Sequence, residues 1–401
     1  MQRLNITTLQ FKAAPHETLS DALRAGPFAL VKLPLLGPVK AALSHEAARQ
    51  VLKDADRFVV NARNAGHRKA FGLPFLPKSM RLLAENILSV DDPDHLRLRR
   101  LADAPFRRAA IETRRERLAT RVDELLDRVA AQDTSEVDLA AQVFRPLPLL
   151  VISDLLGLSP GARARLEQIM NGFSGASSTW GILRAMTGLG GVVKQLREEI
   201  DAARHDPRPG LLSELIHAED EGGKLSEDEL VSLVLVLFVA GHDTTTNLLS
   251  SGLHTLRSEP GAWETATQLD ADGWRIAVDE LMRYAMPVHM TKPRFIVSDT
   301  EICGVPFKRG EKVMALLGSA NLDPDVFDDP LTFDMTRRPN RHLGWGGGPH
   351  ICLGLHLAKM EAEVALSKIV DRWPGLTLNS GLAWSKRLGV RGLDALPVSL
   401  T

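Results

Sequence analysis

Ten residues near the C-terminal end, Trp345-Gly-Gly-Gly-Pro-His-Ile-Cys352-Leu-Gly354, constrain this chain more than any other stretch. They put one cysteine in a glycine-rich loop directly before a helix. Leu355, Ala358, Ala362, Leu366, Ile369 and Trp373 recur at spacings of three and four, the apolar stripe of a helix packed on a core. A thiolate at the start of that helix sits at the positive end of its dipole, which favours the charged sulfur. Gly346, Gly347 and Gly348 carry no Cβ, so the backbone can approach a flat ligand or turn N–H groups towards the sulfur. A lone cysteine is ordinarily a small buried hydrophobe, but this loop suits a thiolate bound to a metal.

A second stretch breaks a pattern. Ser226-Glu-Asp-Glu229 is a capping box, so a helix begins there. Its first turns, Leu230 to Ala240, are apolar on every side, as in a helix buried in a large core. The sequence then turns into Ala240-Gly241-His242-Asp243-Thr244-Thr245-Thr246. These are poor helix formers, and threonine hydroxyls can bond back to carbonyls and bend the helix. An acid beside an alcohol here suggests proton chemistry next to a ligand, with His242 facing away as a packed residue. Elsewhere, Glu280 and Arg283 share a helical face, as do His95 and Arg99, and Arg294 opens a strand-like segment.

The cysteine loop resembles the haem-binding loop of the cytochrome P450 family, with Trp345 where the family usually has Phe. By that resemblance Cys352 is the proximal ligand of the iron of haem b (iron protoporphyrin IX). Trp345, Gly346 and Gly354 belong to the same cofactor-binding loop, and His350 is a donor to a haem propionate. The stretch from Ala240 is similar to the family's distal-helix motif. That implies a groove at Ala240 and Gly241 with room for O2, Thr244 holding the bound oxygen, and Asp243 feeding a proton relay. His95 and Arg99 match the family's His-x-x-x-Arg, and Arg294 another propionate-binding position. Glu280 and Arg283 resemble its structural Glu-x-x-Arg pair. The family's further arginine is replaced by Thr332, leaving Arg338, Arg341 and His342 as alternative third partners.

The resemblance implies a mostly α fold with small β-sheets (α+β), running from about residue 27 to the end. Residues 1–401 read as a single domain, with 1–26 as an N-terminal extension. Residues 27–43 read as two strands around Leu36-Gly37-Pro38, and 57–90 as a long loop with short helical pieces. Residues 294–317 are strand-like, and a coil rich in Pro and Asp runs from Asp323 to Pro339.

The chain has 401 residues and a formal net charge of −1, so no global basic field points to nucleic acid. Cys303 and Cys352 are the two cysteines, too few for a disulfide framework, and Cys303 is expected to serve packing alone. The N-terminus has no apolar signal core, and the run Leu230–Ala240 is shorter than the ~20 residues that cross a bilayer. A soluble, cytoplasmic monomer with no membrane partner is expected. The implied activity is that of a haem-thiolate monooxygenase, inserting one oxygen atom of O2 into a largely hydrophobic small molecule.

The basic run between residues 95 and 117 suggests docking of an acidic ferredoxin or flavodoxin near Arg97, Arg100, Arg107 and Arg108. The rival readings are a peroxide-using, coupling or isomerising enzyme on the same scaffold, and a non-enzymatic haem-binding protein. The substrate pocket is expected from parts of 58–90 and 168–190, from Val236, Val239 and Val288 to Met290, and from Leu388 to Val390. His289 would add a polar contact there. Gly172, Gly175, Gly188, Gly190 and Gly191 suggest a mobile lid.

Overall fold

A computed structural model describes residues 1–33, 37–67, 81–82, 85–134, 136–173, 179–220 and 225–400, apart from the side chains of 167–189 and 218–220. Most of them are helical. The larger sheet is built from β1 (Arg3–Leu4), β2 (Phe28–Leu33), β3 (Gly37–Ala42), β4 (Phe58–Val59), β5 (Arg294–Ile296) and β8 (Lys312–Ala315). Between the last two comes a small hairpin, β6 (Thr300–Ile302) and β7 (Val305–Phe307). The strand order is β1-β2-β3-β8-β5-β4, with β2 and β3 antiparallel in the register Phe28↔Ala42 to Leu33↔Gly37.

The strand pair expected at 27–43 is therefore present. Residues 1–26, in contrast, are not an appendage. Strand β1 pairs with β2, and Ile6, Phe11 and Leu19 are buried with Val31, Leu43 and Met314 in a core beneath the sheet. Cys303 is exposed at the turn of the β6–β7 hairpin rather than packed, with φ 47°. Within the stretch 57–90, residues 68–80, 83 and 84 lie outside the described residues.

The helices that matter for the site are α1 (Leu9–Ala13), α2 (Asp94–Asp103), α3 (Arg115–Ala130), α4 (Glu227–Ser258), α5 (Ala271–Tyr284) and α6 (Leu355–Arg372). Helix α4 starts as its sequence demands. The Ser226 hydroxyl accepts from the Glu229 N–H, and the Glu229 carboxylate accepts from the Ser226 N–H at 2.8 Å. Residues Leu230 to Phe238 are buried on all sides in the largest core, together with side chains of α3, α5 and α6. By length and composition α4 is apolar enough to cross a bilayer, but it is spent on this core.

One ionic cluster ties the helices to the coil before the cysteine. Arg283 donates to both oxygens of Glu280, at 2.7 and 2.6 Å, and both side chains are fully buried. Its remaining N–H groups go to the carbonyls of Asn321, Pro330 and Thr332. Glu280 also accepts from Arg337 at 3.3 Å, Asn340 at 3.0 Å and the Asp334 N–H at 2.9 Å. The third partner is thus Arg337, not Arg338, Arg341 or His342. The coil winds back on itself, so its carbonyls at Asp328, Asp329 and Thr332 fix the Arg337 guanidinium.

Candidate active site

The cysteine loop leaves the coil at Leu343, whose N–H donates to Asn321 Oδ1 at 2.7 Å. It closes on itself through Cys352 N–H to the Trp345 carbonyl at 2.9 Å and Gly346 N–H to the Leu343 carbonyl at 2.8 Å. Glycine is required at 348. With φ +66°, a Cβ there would lie 2.2 Å from the Leu52 carbonyl oxygen. Helix α6 follows as predicted, and its stripe turns progressively inward, so that Ala362, Leu366 and Ile369 are buried.

This loop forms one wall of a cavity of about 470 Å³, lined mainly by apolar surface. The middle of α4, the start of α2, strand β5 and the start of α6 line the rest of it. His95, Arg99, Ala240, Gly241, Thr244, Arg294, Trp345, Gly346, His350, Cys352 and Gly354 all line it. These residues are up to about 260 positions apart in the sequence, yet they converge on one space.

At one end the bases crowd together. The rings of His95 and His350 are 4.1 Å apart, Arg99 donates to the Ile351 carbonyl at 2.7 Å, and Arg294 is 4% exposed. Burial lowers every one of them. His350 falls to about 3, pressed further by His95, Arg294, Arg99 and Lys292, and Arg294 falls to about 10. His95 and Arg99 move the same way. The nearby acids raise some of these values without reversing the direction. This donor set fits a ligand edge bearing two carboxylates, as haem does.

Cys352 is half-buried and sits on the cavity wall. Burial pushes its thiol up, and the Gly354 N–H and Arg99 offset this only in part. Desolvation thus pulls the thiol in the direction opposite to that expected from the helix dipole. A coordinated cation would supply the charge that the loop lacks, since a metal-bound thiol is deprotonated outright. The Trp345 indole N–H is buried in the same wall without a partner among the described residues.

On α4 the threonine pattern has its expected consequence. Thr244 donates to the Ala240 carbonyl at 2.7 Å, four residues back, and Thr246 to that of His242 at 3.0 Å. The nearest neighbour of a Cβ on Gly241 would be the Ile152 side chain, at 3.6 Å, an ordinary contact. His242 is buried and does not line the cavity. Asp243 does not line it either. Its carboxylate meets Arg387 at 2.6 Å and His242 Nδ1 at 3.2 Å. Burial raises Asp243, but these two partners outweigh it and hold the carboxyl below its usual range.

The apolar lining includes Val60, Ile87, Leu88, Val236, Leu237, Val288 and Met290. Val239, His289 and Leu388 to Val390 do not line it. His289 points to the other side of an extended segment and packs edge-on to Phe11, with centroids 5.7 Å apart. Gly190 and Gly191 fall inside the helix Thr179–His205, and Gly175 lies outside the described residues. Lys292 and Glu361 line the cavity but carry no motif that would single them out. Burial pushes Glu361 up to about 8, and its Oε2 has no partner among the described residues. Its only sequence signal is an acid one residue from the buried Ala362.

A family model described as "Cytochrome P450" matches residues 186–268 and 275–376. The cytochrome P450 monooxygenase PikC of Streptomyces venezuelae is 33% identical over 394 residues, covering 97% of this chain and 91% of the relative. The polyketide biosynthesis cytochrome P450 PksS of Bacillus subtilis is 33% identical, covering 87% and 86%. Among solved structures, myxobacterial CYP267B1 in complex with myristic acid superposes with a TM-score of 0.90 at 33% identity, covering 99% of this chain and 98% of that one. The site and these likenesses define a haem-thiolate oxidoreductase. The chain belongs to the cytochrome P450 family, with haem as its cofactor and monooxygenation as its chemistry.

Proposed function

We propose that this protein is a soluble, cytoplasmic monooxygenase acting on a hydrophobic small molecule, with electrons from an acidic ferredoxin or flavodoxin. The observation that carries this reading is the convergence of Cys352 and four bases on one largely apolar cavity. Cys352 would hold the iron, and His95, Arg99, Arg294 and His350 the propionates. Haem supplies O2 activation when bound. The chain supplies the rest. Ala240 and Gly241 leave room beside α4. The Thr244 hydroxyl, now given to the Ala240 carbonyl, would turn to donate a proton into the cavity, and Asp243 would replenish it. Val236, Val288, Met290 and Leu88 exclude water and orient an apolar substrate.

The arginines expected to dock the partner differ in their surroundings. Arg97 is engaged by Glu229, and Arg107 by Asp103 at 2.9 Å. Arg108 lines a cleft beside the start of α6 with Arg115, Arg275, Arg338, His356 and Lys359, among which the acids Glu112, Asp279 and Glu363 also sit. That cleft, with Arg100 nearby in sequence and exposed, is the surface that suits an acidic electron donor.

Cys352→Ala is expected to abolish the thiolate-type spectrum of the reduced carbonyl complex. A parent-like spectrum in that variant overturns the assignment. Thr244→Ala should keep haem and consume reductant, yet release peroxide in place of product. Tight coupling would remove Thr244 from the relay. Product formed by the parent from peroxide alone, without reductant, would favour the peroxide-using reading.

A further inference from the structure

The partner of Asp243 comes from a part of the chain that the site motifs do not touch. Arg387 sits in the segment 385–391, which is clamped on three sides. Lys12 of α1 donates to the Arg387 and Val390 carbonyls. His289 N–H donates to the Gly389 carbonyl at 3.1 Å, and Arg391 N–H to that of Pro287 at 2.9 Å. Val390 also bridges Val288, a cavity-wall residue. The Arg387 guanidinium is steadied by Ser385 Oγ at 3.1 Å and reaches Asp394 at 3.6 Å. The charged group facing the Asp243 carboxylate is therefore Arg387, with the His242 ring beside it and Asp394 beyond the arginine.

We propose that Arg387 is a positioning residue for the proton relay. It holds the Asp243 carboxylate ionised and turned out of the cavity, and its withdrawal lets that carboxylate take a proton from water and present it to the cavity. No electrons move, and the carboxylate is regenerated when the proton passes on. Because the segment carrying Arg387 is hydrogen-bonded to the wall at 287–290, the counter-ion and the substrate wall share one support. The inference rests on the relay role proposed for Asp243.

The test is an infrared pH titration of the ferric holoenzyme, following the protonated-carboxyl band that Asp243→Asn removes. In Arg387→Gln its midpoint should rise by about 1–3 pH units, the usual effect of deleting an adjacent opposite charge. Arg387→Lys should bring it back towards the parent. If Arg387→Gln yields no holoenzyme, Ser385→Ala, which removes the acceptor of the Arg387 Nε and backbone N–H but leaves the ion pair with Asp243, should shift the midpoint the same way by less. A parent-like midpoint in the variant measured overturns the proposal. The relay role fails by a different result: Asp243→Asn turning over with the parent's coupling of reductant to product, whatever the midpoint of the pair.

Discussion

Two buried charge clusters flank the cysteine loop, and they are built on opposite principles. Around Glu280 and Arg283 every charge is answered. The carboxylate accepts from two arginines, an asparagine and a backbone N–H, and Arg283 spends its other N–H groups on three carbonyls. Around His350, Arg99 and Arg294 bases face bases; burial depresses all three, and the neighbouring bases press His350 further. The first cluster is complete in the protein and holds the fold. The second is complete only with an anionic ligand, so its cost to the haem-free chain is the affinity it reserves for that ligand.

The largest effect that would break the contrast lies in the closed cluster. Glu280→Ala leaves Arg283 and Arg337 without their carboxylate and should destabilise the protein by about 3–5 kcal/mol, the usual result of removing one partner of a buried pair. Urea unfolding, with and without haem, reads this, and both forms should suffer alike. Arg294→Met should behave in the opposite way. The haem-free chain keeps or gains stability, while haem binds about 10–100-fold more weakly, the equivalent of one charged hydrogen bond. Haem transfer to a competing apoprotein measures that affinity. Equal losses in the two assays would erase the distinction between the clusters.

A smaller effect sharpens it. His350 is depressed from 6.5 to about 3, so below pH ~6.5 the unfolded chain binds a proton that the folded haem-free chain refuses. Stability of the haem-free protein should therefore fall as pH drops from ~6.5 towards 3, by less than the limiting ~1.4 kcal/mol per pH unit because the ring is partly exposed. His350→Gln should flatten this slope in thermal melts, and bound haem, whose propionates favour the protonated ring, should flatten it too.

Local signals carried much of the site. The cap at Ser226, the apolar start of α4, the threonine break and the α6 stripe are periodic or short-range features, and each appears where its residues require. Arg337 was not legible, because the coil 323–340 has no period and its partners are set by how it folds back. His289 and Met290 are neighbours of which only one faces the cavity, and strand alternation could not say which without knowing the register. Residues 1–26 looked peripheral because β1 has two residues and pairs with a strand more than twenty positions away.

What the sequence alone determined is chemistry tied to spacing: one cysteine in a glycine loop before a helix, an acid–alcohol pair in a buried helix, and bases on two distant segments. Only the tertiary structure decided which charges are satisfied. It joined Glu280 to Arg337, turned Asp243 towards Arg387, and pressed His350 against other bases. The reason is physical. Periodicity reports which face of an element is buried, whereas the charge state of a buried group depends on partners from other elements and on the water that packing excludes.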